Sequence, residues 1–201
     1  MLRLADLVFW LSASLWLAFA LVGGVAAMAI FPAARELPLG MEGYEGFMAA
    51  NPEQARLMIA GHLVERVFLL SDGVRMVVAA VAALALLGQL AFAPKGGFPR
   101  LRLAAIAVAA GALLIGTLWA QPGFSERDRA YRGAARAGDA AQAMELKKGV
   151  DESHATASRA ASTEVGALLV LISLSALAGG RSGGASGAWR SPFSASGSRR
   201  G

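Results

Sequence analysis

Four stretches of this chain carry no charged side chain: residues 7–34, 76–94, 103–125 and 165–180. A helix needs about 20 apolar residues to cross the hydrocarbon layer, with a working range of roughly 17 to 25. The first three stretches meet that length outright. The fourth, with 16 uncharged residues, needs Glu164 or Arg181 at the interface, which the long flexible arm of Arg allows. Only 16% of the residues are charged, against roughly 25% in ordinary soluble domains. The expected architecture is an all-α, four-helix transmembrane bundle. Its spans fall at about 8–31, 73–93, 102–121 and 163–180 within a domain of residues 1–180, with a basic Gly/Ser-rich tail over 181–201. The first stretch is too long for the core of a cleaved signal, about 7 to 15 residues, and reads as a retained span.

The charges are distributed unevenly. The amino-terminal piece, the link carrying Lys95, Arg100 and Arg102, and the tail hold eight basic residues and a single acid, Asp6. The two long connectors are acidic or balanced. Basic residues beside short segments favour the cytoplasmic face, so both termini are expected inside and both long connectors outside, in a bacterial inner membrane. The formal charge of +5 then reports orientation. Basic residues interleaved with aromatics, the mark of a nucleic-acid surface, do not occur. The tail "GGRSGGASGAWRSPFSASGSRRG" has the composition of a disordered segment, with Trp189 and Phe193 as the residues that would touch a membrane surface.

The connectors read as largely helical. Asn51 stands as a candidate N-cap, Pro52 at the first helical position and Glu53 in the first turn, which predicts one helix from about Pro52 to Phe92. The segment before span four predicts a second extended helix, with a break at Gly149. Spans two and four are thus expected to continue as helices outside the bilayer.

Residues 62–76, "HLVERVFLLSDGVRM", place His62, Glu65, Arg66, Asp72 and Arg75 on one half of a helix. Leu63, Val64, Val67, Leu70 and Val74 fall on the other. Two readings follow. The charges form local ion pairs on an interfacial or protruding helix, or they line a polar cavity between helices at the outer interface, with Glu164 as a further member of the cluster. The 18 uncharged residues from 76 to 93 suffice for a span by themselves, which favours the interfacial placement.

A faint repeat links the halves. Spans one and three leave through Pro32 and Pro122, His62 and His154 follow, and an acid (Asp72, Glu164) stands ten residues after each histidine. The pattern implies two parallel helix pairs with both histidines on one side.

The runs "AIFPAARELP", "GHLVERVF" and "ESHATASRAASTEVGALLVLI", with the short basic link between them, resemble the transmembrane-protein-205-like family, a bacterial four-span domain of unknown function. The last run is similar to that family's His-x-x-x-Ser lead into its final helix, here His154 and Ser158. The resemblance covers about residues 8–178 and implies a four-helix membrane domain without an established activity. A more distant likeness is to copper-resistance membrane proteins.

No phosphate-binding loop, nucleophile elbow or zinc-protease motif is present, and the chain has no cysteine. No nucleophile–base pair can be placed, so a non-enzyme is expected, with no cofactor. The expected role is a structural, stress-related or partner-binding membrane bundle, its partners being the lipid bilayer, a second copy or another membrane protein. Asp72, Arg75 and Glu164 suit a small transporter or channel-like subunit as an alternative. His62 and His154, with Met58 one turn before His62 and Met41 and Met48 nearby, are the weak candidates for a copper or haem site. Gly23-Gly24 and Gly96-Gly97 are spaced for helix contact and for a turn respectively.

Overall fold

A computed structural model describes residues 2–37, 40–92 and 98–183. The readings made on Gly96-Gly97 and on the tail beyond residue 183 lie outside the described residues. Among those described, the chain is helical throughout: α1 (Leu2–Glu36), α2 (Glu45–Ala50), α3 (Pro52–Phe92), α4 (Pro99–Leu114), a π-helical turn (Ile115–Ala120), α5 (Gln121–Arg136) and α6 (Ala140–Gly183). Four helical rods are long and apolar enough to cross a membrane: α1, α3, α4 continued through α5, and α6. The molecule is an all-α, multi-pass membrane bundle.

The rods form two antiparallel hairpins. In the first, Gln89 Nε2 of α3 donates to the Ala5 carbonyl of α1 at one end, and Phe68 lies against Gly23 toward the other. A Cβ on Gly23 would stand 2.3 Å from Phe68 Cε1, so the Phe68 ring takes up the space that glycine leaves and would have to turn aside for any larger residue. In the second hairpin Arg102 of α4 meets Ser175 of α6, Gly116 meets Ala160, and Arg127 meets Gly149. The end holding Ala5, Gln89, Arg102 and Ser175 is called the base, and the opposite end the head.

Several elements run further than the sequence implies. Pro32 does not end α1, which continues to Glu36. A proline inside a helix removes one hydrogen bond and crowds the carbonyl four residues back, and α1 carries that cost one turn before its end. Pro122 has no N–H for the carbonyl four residues back, and the rod adjusts by widening. Gln121 N–H bonds the Gly116 carbonyl, five residues back, in the π turn that precedes it. Span three therefore also extends beyond the apolar belt, as spans two and four do. Gly149 does not break α6, because its carbonyl accepts from Arg127 and Ser153. The helix also runs to Gly183, into the segment read as tail.

Two cores result. The larger joins Phe9, Ala13 and Trp16 to Ala79, Ala82, Leu86, Ile106, Ala109, Leu113, Leu168 and Leu171. Outside it, Leu4, Leu11, Leu21, Val25, Val77, Leu84, Val108, Leu118, Leu169 and Leu177 face outward, as lipid contact requires. The smaller core forms the head, where Tyr44, Phe47, Ala55, Met58, Tyr131, Ala134, Ala135 and Ala143 pack together. Phe47 meets Tyr131 edge-on at 6.0 Å, and Arg136 lies 5.1 Å over Tyr44. Turns at Gly43 and Gly138, both with positive φ, close this cap. Both long connectors therefore share one end of the bundle.

Burial pushes the Tyr131 phenol up to about 12, with Asp128 and Asp151 adding to the shift. Its folded-state value lies above the unfolded 10.0, so this contribution to stability is complete below pH 10 and is lost as pH rises through about 12. Tyr44 and Tyr131 are the two tyrosines. In a Tyr44→Phe protein, ultraviolet titration of phenolate should give a midpoint near 12. A midpoint at the ordinary phenol value would mean that the head core is open to water.

Candidate functional site

The most deeply buried polar residue among those described is Glu164 on α6, whose side chain is 2% exposed. Its two oxygens have different partners. Trp16 Nε1 of α1 donates to Oε1 at 2.7 Å, and Arg75 Nη1 of α3 donates to Oε2 at 2.9 Å. Arg75 Nη2 also donates to Asp72 one turn away on α3. One carboxylate thus ties three helices and both hairpins together. Local sequence places each group. Trp16 continues the inward stripe of Phe9, Ser12 and Ala13, and Glu164 continues that of Leu168, Leu171 and Ser175. Asp72 and Arg75 are three residues apart, the spacing at which helical side chains meet.

The depth of this knot follows from the helix register. Along α4 and the π turn, outward-facing apolar residues run from Phe98 to Trp119, a rise of about 30 Å at ~1.5 Å per residue, close to the hydrocarbon thickness. Gly116 packs on Ala160, whose Cβ would lie 3.8 Å from a Cβ added to the glycine. Glu164, four residues nearer the base, then lies level with Ala112, about 10 Å inside the rim at the head end. Exposed Leu69 and Leu70 on α3 and Val22 and Val25 on α1 continue the belt past Arg75. Asp72, Arg75 and Glu164 thus converge between helices, as the second of the two readings has it, at a height where the outward faces of α1, α3 and α4 are apolar. An 18-residue run after Arg75 is long enough to span, but α3 pairs with α1 further toward its own amino end.

The remaining expected polar residues do not join it. Glu65 belongs to a second cluster in the head, where Arg132 of α5 donates to Glu65 at 3.2 Å and to His62 Nδ1 at 2.6 Å, and pairs with Asp128. Burial raises the Asp128 carboxyl above its usual range, and Arg132 beside it opposes the shift. Arg66 is exposed and takes no part in either cluster. His154 lies by Phe124, ring centres 6.3 Å apart. Arg132 and Phe124 are eight residues apart on α5, about 12 Å of rise, so His62 and His154 stand at different levels. Met58 is buried in the head core with Met41 and Met48 against it. Among the described residues no group of three or more His, Asp or Glu is arranged to hold a metal.

A third polar layer at the base was not anticipated. Arg102, read from sequence as part of the basic link, is buried. It donates to Gln89 at 2.6 Å and to Ser175 at 3.0 Å, and its guanidinium lies 5.3 Å from the Phe9 ring centre. Gln89 and Ser175 are isolated polar residues within long uncharged runs. That isolation was the available signal, because a lone amide or hydroxyl in a span usually meets a partner from another helix. Trp16 gave no such signal, being one aromatic among many apolar neighbours.

Comparison with known proteins adds no relative: no family model, no curated protein and no solved structure matches the chain.

Removing one member of a buried ion pair leaves the other charge uncompensated, at a cost of about 3–5 kcal/mol, whereas replacing both by apolar residues is close to neutral. Arg75→Met alone should destabilise the bundle by that amount in a denaturation series in micelles. Arg75→Met combined with Glu164→Leu should recover most of the loss. Additive losses would show that the two side chains do not interact.

Proposed function

We propose that this chain is a non-catalytic bundle of the bacterial inner membrane that presents its helical head to a membrane partner or second copy, in a structural or stress-related role. The observation that carries this reading is the complete use of Glu164. Both carboxylate oxygens are occupied by Trp16 and Arg75, and on the base side the apolar layer of Phe9, Leu86, Ile106, Leu168 and Leu171 follows immediately. A catalytic acid or a translocation site needs a free face toward its substrate, and this carboxylate offers none. Membership of the transmembrane-protein-205-like family belongs to the same proposal, resting on the sequence runs that resemble it.

The topology proposed with it puts the base in the cytoplasm. In the sequence, Lys95, Arg100 and Arg102 fall in the link that joins the base ends of α3 and α4, the tail arginines follow the base end of α6, and basic residues flanking short segments are retained inside. Both termini are then cytoplasmic and the head is outside.

A second reading, a small transporter or channel-like subunit, draws support from one observation. The Asp72 and Arg75 side chains keep 13% and 12% exposure where Glu164 keeps 2%, and Arg75 Nε is buried without a partner among the described residues. A path from the head side as far as Arg75 would account for both. The copper or haem reading has no comparable support, given the different levels of the two histidines.

The chain has no native cysteine, so single cysteines report cleanly. In sealed vesicles Asp72→Cys should react with a membrane-impermeant maleimide only from the head side, and Leu168→Cys from neither side. Proteoliposomes should pass protons and monovalent cations no faster than protein-free vesicles. Labelling of Leu168→Cys from either face, or protein-dependent flux, would replace the structural reading with the transport one.

A further inference from the structure

The outward face of α6 changes character along its length. Toward the base it exposes Leu169, Val170 and Leu177. Toward the head the same stripe, followed at helical spacing, exposes Ser158, Arg159, Ser162, Thr163 and Gly166. The other rods stay apolar at this height. The Gly116–Ala160 contact sets Leu118 and Trp119 level with residues 157 and 158, and Trp119 is 71% exposed. On α1 and α3, Val22 and Leu70 stand five or six residues headward of Trp16 and Arg75, and both are exposed. Arg159 stands five residues headward of Glu164, at the same height.

An exposed tryptophan ending an apolar span marks the membrane–water interface, where lipid headgroups begin. Arg159 is therefore a cation at the rim. Its guanidinium has no partner among the described residues. Glu164 lies on the far face with both oxygens in use, and Glu152 is two turns further toward the head. A guanidinium is complementary to a phosphate, which it can hold with two parallel hydrogen bonds. Ser158 and Ser162 flank it on the same stripe and can donate from either side.

We infer that Arg159, with Ser158 and Ser162, binds the phosphate of an anionic phospholipid in the leaflet on the head side. Charge decides between this occupant and a second copy of the chain. The spacing Ser158, Ser162, Gly166 would let another helix approach closely, but a symmetric copy in the same membrane would bring Arg159 against its own equivalent. A lipid phosphate supplies the opposite charge at the height where Arg159 stands.

Full-length protein in mild detergent, mixed with phosphatidylglycerol or phosphatidylcholine and examined by native mass spectrometry, tests this directly. The unaltered chain should retain phosphatidylglycerol preferentially, and Arg159→Gln should lower that retention about tenfold, as expected for loss of one charge-assisted contact. Arg66→Gln, which removes an exposed cation of α3, should leave retention unchanged. Because Arg159 is exposed, thermal unfolding in zwitterionic micelles should be the same for the variant as for the parent. If the variant unfolds early, Ser162→Leu, which fills the flanking position with an apolar side chain, takes its place with the same expected loss. Equal retention by Arg159→Gln and the parent would overturn the inference. So would efficient disulfide dimerisation of Ser162→Cys in native membranes, which would assign the stripe to a second copy.

Discussion

The hydrocarbon layer offers no water to a charged group, so every charge inside it must find its partner within the protein. In this chain that constraint falls on Glu164 and Arg75, about 10 Å inside the rim of the belt. The pair is more than a local satisfaction of two charges. Each hairpin is held by its own apolar seam, α1 on α3 and α4–α5 on α6. Between hairpins the polar contacts are Arg-centred: Arg102 at the base, Arg75 within the belt and Arg132 in the head. Lipid chains are as apolar as Leu, so burial alone drives little association between helices in a bilayer. Directional bonds then carry much of the weight in fixing how the two hairpins meet.

The three layers differ in what surrounds them, and the difference sorts their roles. Arg132 is bordered by partly exposed Glu65 and His62 and lies among groups that water can reach. Arg102 has only neutral hydrogen-bond partners and an aromatic face, which suits a cation near a membrane boundary. Arg75 and Arg132 each face carboxylates from two helices, but the partners of Arg75, Asp72 and Glu164, are 13% and 2% exposed where Glu65 beside Arg132 is 39% exposed. The middle layer therefore pairs charge with charge and is the one on which the relation of the hairpins most depends.

Much of this was legible in the residues. The four uncharged runs prescribe four crossings, the Asn-Pro-Glu start prescribes a helix from Pro52, and Asp72, Arg75 and Glu164 stood out as charges bordering spans. The weak repeat also has a physical counterpart, since its two acids, Asp72 and Glu164, meet at one arginine. Depth was not legible. A run of 18 uncharged residues after Arg75 permits a crossing but does not require it, and only the pairing of α3 with α1 selects the register. Arg102 was misplaced for a similar reason: a basic residue beside a span satisfies the orientation rule whether it faces water or the core. Pro32, Pro122 and Gly149 mark local helix-breaking propensity only: α1 continues one turn past Pro32, the π turn absorbs Pro122 within its own rod, and Arg127 of α5 bonds the Gly149 carbonyl.

The most direct measurement is the Arg75–Glu164 contact itself, in lipid. Solid-state NMR on protein with labelled arginine nitrogens and glutamate carboxyl carbons, reconstituted in bilayers, reads the dipolar coupling between the two side chains, and Arg75→Lys and Glu164→Gln assign it. The account requires a coupling at contact range, matching the 2.9 Å nitrogen–oxygen separation, that persists when the bulk salt is raised. Absence of that coupling, or its loss in salt as for a solvent-exposed pair, would contradict the placement of this ion pair inside the membrane belt.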